Sequence, residues 1–320
     1  MPLTIEEGAA LVERIRQTIA SRILGQDDAI SDLMAAFLAR GHVLIEGVPG
    51  TAKTLLARTM SRALDVRFGR IQFTPDLMPA DVTGISMYRE NTREFEFQAG
   101  PIFTDILLAD EINRAPAKTQ AALLEAMAER QVTVDGKPRA LDANFTVLAT
   151  QNPVEHEGTF PLPEAQLDRF LLKVVMSYPS LEAELAMLEL HEKGFDPEQH
   201  RGDDLARAAT SAQVAELRGL VDRVKLAPEV RGYIAAITRA TRDDPSLSLG
   251  ASPRATVALM RVARAGAVME ARDFVTPDDV KARALAALRH RVTLAPEVEV
   301  EGRTPDDVIG AVLSRIPTPA

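Results

Sequence analysis

The chain predicts an α/β protein in which a mostly parallel sheet, covered by helices on both faces, is followed by an all-helical domain. Three observations lead there. Short apolar runs alternate with helix-period segments over residues 1–178, the pattern of strand–helix–strand units. One run, Ile106-Leu107-Leu108-Ala109, is apolar without alternation, as a strand buried on both faces requires. After Tyr178-Pro179-Ser180 the strand pattern stops, and helix starts built from a capping residue plus proline take over.

Residues 1–24 form an amphipathic helical lead-in, and residues 27–39 a second helix. His42-Val43-Leu44-Ile45 is the first buried strand, and residues 55–64 form the helix beyond the turn that follows it. Residues 70–73, 106–109, 145–150 and 171–176 are the remaining strands. Residues 118–130 form a helix, with Ala121, Leu124, Met127 and Ala128 at helical spacing. Two insertions interrupt this order. In residues 81–103, Gly84-Ile85-Ser86-Met87-Tyr88 and Glu94-Phe95-Glu96-Phe97 alternate across a polar turn. In residues 131–141, Asp135-Gly136 separates two alternating segments, a strong hairpin signal. Each hairpin is read either as a stabilising surface feature or as a moving part. Ser252-Pro253, Thr276-Pro277-Asp278-Asp279 and Thr304-Pro305-Asp306-Asp307 each open a helix. The boundary near residues 176–180 divides the chain into 1–178 and 179–320, and residues 195–204 read as a mobile loop.

Composition excludes several classes. The chain has 320 residues, of which 46% are hydrophobic and 26% charged, ordinary for a soluble protein. Net charge is −9, which argues against indiscriminate nucleic-acid binding. There is no cysteine, so disulfides and thiolate zinc sites are excluded. The five histidines are scattered; His156-Glu157 and His191-Glu192 lack the second histidine of a zinc-protease motif, and all five read as surface or loop residues. No apolar run approaches the length of a membrane span and no signal peptide is evident, so the expected location is the cytoplasm.

The chemistry concentrates after the first strand. Gly47-Val48-Pro49-Gly50-Thr51-Ala52-Lys53-Thr54 joins that strand to a helix, the context a phosphate-binding loop needs. Its glycines let backbone N–H groups point at phosphate oxygens, and the helix N-terminus adds its dipole. Lys53 can reach the β- and γ-phosphates of ATP, and the Thr54 hydroxyl can bind Mg²⁺. Ala52 stands where the strict pattern has glycine; its small size is expected to tolerate a helical start. Asp110-Glu111 closes the third strand, with Asp110 placed for Mg²⁺ and Glu111 for the attacking water. The fourth strand ends in Thr150-Gln151-Asn152, which puts Asn152 within reach of the same water as a γ-phosphate sensor. Arg169, just before the fifth strand, can face a neighbouring subunit's nucleotide. Arg254, at a helix start, can fold back onto the γ-phosphate of its own subunit.

These motifs, together with Asp110-Glu111-Ile112-Asn113-Arg114-Ala115-Pro116, Lys118-Thr119-Gln120 and the run from Gly158 to Phe170, resemble the MoxR family of AAA+ ATPases. The resemblance covers essentially the whole chain and is densest over residues 23–178. It implies a five-stranded αβα core, a helical lid and a ring, usually a hexamer. Within that ring Arg169 would be an arginine finger acting in trans and Arg254 a second sensor in the lid. Ala52 is what the family usually carries at its position. Ile23-Leu24-Gly25-Gln26 matches the segment that touches adenine, and the two hairpins match inserts shared with magnesium chelatase and replicative helicases. It also implies chaperone-like remodelling, often with a partner carrying a von Willebrand factor A domain whose metal site is assembled.

Three function classes compete on the sequence. The first is an ATP-driven protein remodeller, with a magnesium-chelatase-like motor subunit as its close relative. The second is a nucleic-acid motor, for which Arg89, Arg93, Lys137 and Arg139 offer hairpin cations, although no DNA-binding domain is added. The third is a nucleotide-dependent switch that hardly hydrolyses, against which Glu111 argues.

Overall fold

The computed structural model describes residues 3–48, 50–152, 158–196 and 205–319. Pro49, His156, His200 and most of the expected loop at 195–204 lie outside the described residues.

Five parallel strands form the central sheet: β1 (Val43–Gly47), β2 (Phe68–Gln72), β3 (Ile106–Asp110), β4 (Thr146–Gln151) and β5 (Leu172–Met176). Their order across the sheet is β2-β3-β4-β1-β5. The longer helices described in this half are α1 (Ile5–Ala20), α2 (Asp27–Leu38), α3 (Lys53–Ala63) and α4 (Ala117–Glu129). Six longer helices follow the sheet: α5 (Leu181–Glu192), α6 (Ser211–Arg223), α7 (Pro228–Ala240), α8 (Pro253–Met269), α9 (Pro277–Leu288) and α10 (Pro305–Arg315). Because β1 is flanked by β4 and β5 while the next strand in sequence lies at the far edge, the chain changes direction at β1. In open α/β sheets the ligand crevice forms outside the strand ends at such a point.

Local chemistry explains the helix starts. Thr4, Thr210, Thr276 and Thr304 each accept from the third backbone N–H of their helix, and the side chain at that position returns the bond. Proline occupies the first turn of α8, α9 and α10, where its missing N–H costs nothing. The two insertions are hairpins: Gly84–Arg89 pairs with Glu94–Ala99, and Gln131–Val134 pairs with Lys137–Ala140. Asp135 and Gly136 both have positive φ (53° and 73°), as the tight primed turn of the second hairpin demands.

The sheet separates two buried clusters. On one face Phe73, Phe145 and Phe170 pack with α4. On the other face, α1, α2 and α3 merge with α6 to α10 into one continuous cluster. The helical half is therefore built onto the N-terminal helices. Arg218 of α6 seals the junction: it is buried, donates to the Phe37 carbonyl (2.9 Å) and to Asn144 Oδ1 (2.7 Å), and burial pulls its pKa down to about 10.

Two expectations need correction. Strands do not end at residue 178: Leu247–Leu249 pairs antiparallel with Thr293–Leu294. Segments of three and two residues carry no readable alternation, and only tertiary packing brings them together. His42 and His290 lie in connecting segments, as a loop reading allows, but both are buried and not on the surface. His42 Nδ1 accepts from the Val147 N–H (3.0 Å) while Nε2 donates to the Met127 carbonyl (3.2 Å). Burial, with Arg130 nearby, pushes the His42 pKa down to about 3, so the ring is neutral and serves as a hydrogen-bonded spacer between β4 and α4.

Candidate functional site

A cleft of about 1110 Å³ opens at the C-terminal ends of β1, β3 and β4. Gly50, Thr51, Ala52, Lys53 and Thr54 line one side, Asp110 and Glu111 the floor, and Thr150, Gln151 and Asn152 the adjoining wall. Leu24 and Gln26 line the opposite end together with Met187, Leu190 and His191 of α5. Most of the residues singled out from the sequence for nucleotide chemistry therefore meet in one place, although the strands that carry them are far apart in sequence.

The loop geometry follows from its residues. Gly50 has φ +85°, and a side chain there would meet nothing, so its backbone faces open space. Gly47 is tight, since a Cβ would come within 2.8 Å of the Met176 carbonyl. Thr51 Oγ1 donates to the Val48 carbonyl (2.9 Å) and braces the turn. Ala52 is not the start of the helix but its cap, in left-handed conformation (φ 60°, ψ 24°). That is the backbone for which the strict motif uses glycine, so alanine bears strain there. The first turn of α3 carries no acid to compete for an anion.

Lys53 Nζ donates to the carbonyls of Gly47 (2.6 Å) and Val48 (3.0 Å), which curls the side chain along the loop. Partial burial lowers its pKa, with Asp110 and Glu111 pulling the other way. Thr150 organises the acids. Its hydroxyl donates to Asp110 Oδ1 (2.7 Å) and accepts the Glu111 backbone N–H (2.8 Å). Glu111 sits in left-handed conformation (φ 56°, ψ 50°), a strained backbone that lifts its carboxylate off the strand line. That carboxylate accepts from Gln72 Nε2 (2.8 Å) and from Arg114 Nη1 (3.1 Å). Asp110 Oδ2 accepts from Arg70 Nη2 (2.8 Å).

Gly25 has φ +70°, and a Cβ there would lie 2.7 Å from that of Ala183, so the chain passes close to α5 at this point. Gln26 is buried and donates to the Ser177 carbonyl (2.9 Å). The segment Ile23-Leu24-Gly25-Gln26 is thereby pinned against the start of α5, one end of the cleft.

The two arginines named from the sequence do not line this cleft. Arg169 is exposed and donates to the Leu124 carbonyl (2.7 Å). Arg254 is also exposed, and its helix start is tied elsewhere: Ser252 Oγ donates to Asp168 Oδ2 (2.9 Å). Arg254 therefore stands beside the Arg169 segment, outside the cleft. Sequence reading missed Arg70 and Gln72, which reach the acids only because Gln72 pairs in register with Asp110.

The aligned loop, acids and sheet define a P-loop ATPase of the AAA+ class. Residues 42–172 match the ATPase family associated with various cellular activities, and residues 239–312 match the AAA lid domain. YeaC of Bacillus subtilis is 46% identical across 96% of this chain and 93% of its own length. The chaperone MoxR1 of Mycobacterium tuberculosis is 40% identical across 99% of this chain and 82% of its own. The crystal structure of a Cytophaga hutchinsonii protein assigned as an ATPase superposes with a TM-score of 0.89 at 38% identity, covering 99% of this chain and 97% of that one. The chain belongs to the MoxR family of AAA+ ATPases. Among the described residues no helix is long and apolar enough to cross a membrane, and no cluster of His, Asp and Glu could hold a metal ion on its own.

Proposed function

We propose that the protein hydrolyses ATP with Mg²⁺ and uses the energy to remodel a protein client or mature a metal site. The carrying observation is the position of Glu111: Thr150 fixes its strained backbone, Gln72 and Arg114 hold its carboxylate, and the residue lines the same cleft as Lys53. Gly47 to Thr54 would cradle the phosphates, with Lys53 leaving the loop carbonyls for the β- and γ-oxygens. Leu24, Gly25 and Gln26 would hold the base. The hydroxyl of Thr54 and the carboxylate of Asp110 suit a hard cation, which would neutralise charge on the phosphates. Glu111 would take the proton of the attacking water, and Asn152 would orient that water against the γ-phosphate.

Arg169 would complete the site from a neighbouring subunit of a homo-oligomer, in our reading a hexameric ring. The placement of Arg254 beside the Arg169 segment favours action in trans for this second sensor too, in place of the cis role read from sequence. Residues 1–178 would act as the nucleotide-binding core and 179–320 as the lid, in the cytoplasm.

The output end is the hairpin pair. Tyr88 and Phe95 stack edge to face at the first hairpin, and Phe95 is 75% exposed, a surface suited to a protein client. Of the four hairpin cations, Arg89 is paired with Glu96 and Arg139 lies 3.6 Å over the Phe97 ring, so two of the four are already engaged within the hairpins. The name of the mycobacterial relative supports a chaperone role, and the family resemblance supports a von Willebrand factor A domain partner. The test is ATPase activity with and without Mg²⁺ in the parent and in Glu111→Gln. Phosphate release that persists in the variant would contradict the reading.

A further inference from the structure

Three consecutive residues after α9, Arg289, His290 and Arg291, bind the backbone that leads into β5 and its first residues. Arg289 donates to the Lys173 carbonyl (3.4 Å) and His290 to the Phe170 carbonyl (3.0 Å). Arg291 makes the most bonds. It is 7% exposed; Nε donates to Asp168 Oδ1 (2.8 Å), Nη1 to the Leu171 carbonyl (3.0 Å), and Nη2 to the carbonyls of Asp168 (3.3 Å) and Phe170. A fifth bond, to the Ala287 carbonyl near the end of α9, ties the guanidinium to its own helix. Four of its bonds thus go to the residue before Arg169 and the two after it, and none to Arg169 itself. The consequence for Arg169 is direct. Asp168 is turned inward by its ion pair with Arg291, Phe170 is fully buried, and Arg169 between them is left exposed. The other oxygen of the Asp168 carboxylate takes the Ser252 hydroxyl (2.9 Å), so the same acid also holds the start of the helix that carries Arg254.

We infer that Arg291 is a positioning residue for Arg169: from the helical half, it holds the turn that presents Arg169 to a neighbouring subunit's nucleotide. The inference rests on the trans reading of Arg169 and names what aims it. A buried ion pair by itself argues little for stability, because packed apolar side chains often serve as well. What arginine adds is geometry: a planar fork whose five N–H groups hold several acceptors at fixed angles, which the single ammonium of a lysine cannot do. The acceptors here follow one another along the chain, so the fork sets the path of the backbone through the turn. Positioning of this kind governs rate, since a misplacement of about 1 Å can cost about 10²-fold. Because Asp168 is bonded to Arg291 and to Ser252 at once, a shift at Asp168 moves the Arg169 turn and the start of α8 as one.

Arg291→Lys keeps the charge and loses the fork. It should assemble like the parent by sedimentation and bind a fluorescent ATP analogue within about twofold, since Arg291 does not line the nucleotide cleft. Its kcat should fall by roughly tenfold or more, with KM within about twofold. The place of the defect is read by mixing. With Glu111→Gln, which keeps both Arg291 and Arg169, activity should return. With Arg169→Ala it should not, because neither subunit then presents a well-placed Arg169. A parent-like kcat would overturn the proposal. So would rescue by Arg169→Ala, or no rescue by Glu111→Gln, either of which puts the defect somewhere other than the variant's own Arg169. If Arg291→Lys does not assemble, Asp168→Asn, of the same shape without the charge, is read in the same mixtures; loss of assembly in both would make the contact purely structural and overturn the proposal. Arg169→Ala mixed with Glu111→Gln is the control. No recovery there despite co-assembly would overturn the trans reading itself, whatever Arg291 does.

Discussion

Arg70 and Asp110 share a direct ion pair: Nη2 of the arginine on edge strand β2 lies 2.8 Å from Oδ2 of the acid that ends β3. The other carboxylate oxygen takes the Thr150 hydroxyl, so the acid assigned to the metal is held by an arginine and a threonine from the two flanking strands. The guanidinium and Mg²⁺ would compete for the same negative charge. Arg70→Ala should therefore lower the Mg²⁺ concentration for half-maximal ATPase by up to about fivefold, in line with about 1 kcal/mol for a pair on a 44%-exposed arginine. A Mg²⁺ titration reads this directly, and an unchanged or higher requirement would remove the competition.

Lys53 and Glu111 should fail in different ways. Lys53→Ala removes a ground-state phosphate contact and should abolish most nucleotide affinity. Glu111→Gln should bind ATP like the parent and not turn it over, because its role is confined to the attacking water. Fluorescent-nucleotide binding paired with phosphate release distinguishes them; equal loss of binding would show that the roles are misassigned.

The left-handed backbone at Ala52 makes a stability expectation. Glycine relieves strain there but frees the unfolded chain, and the two effects nearly cancel, so Ala52→Gly should change stability by less than about 1 kcal/mol and keep nucleotide binding. Ala52→Val places a branched Cβ on the same backbone and should cost roughly 1–3 kcal/mol and weaken nucleotide binding. Denaturant unfolding of both variants decides; a valine variant as stable as the parent would mean the loop is not left-handed at this position.

Buried neutral histidines set the acid limit. His42 and His290 both have pKa values pushed below the ordinary 6.5 by burial, His42 to about 3. The unfolded chain gains protons below pH 6.5 that the folded chain refuses, so stability is full above that pH and falls as pH drops towards 3. At pH 5.5 His42 should cost about 1.4 kcal/mol relative to pH 7.5, and His290 should add to the loss in the same direction. Urea unfolding at the two pH values checks this, and equal stability would mean the rings are already charged or exposed.

What the sequence made legible is what short-range chemistry dictates. The five strands, the phosphate loop, Asp110-Glu111 and Asn152 announce themselves through apolar runs and the polar residues that end them. What stayed hidden depends on register or on packing between distant segments. Arg70 and Gln72 look like ordinary strand residues until β2 is laid beside β3. The side of the subunit on which Arg254 stands follows from how α8 packs against α1 and α2, and no local pattern encodes that. The strain at Ala52 and Glu111 is a property of backbone angles, and a small residue and an acid can each occupy several. His42 and His290 sit between regular elements, where burial has no periodic signature.

Catalysis across a subunit boundary is tested most directly by mixing two inactive proteins. Arg169→Ala lacks the proposed finger but keeps Glu111; Glu111→Gln lacks the proposed catalytic acid but keeps Arg169. Arginine fingers supply roughly 10³–10⁵ in rate, so each variant alone should be nearly inactive. Mixed assemblies contain interfaces in which an intact Glu111 meets an intact Arg169 from the neighbour, and these should recover measurable ATPase. Proven co-assembly with no recovery would contradict the shared site.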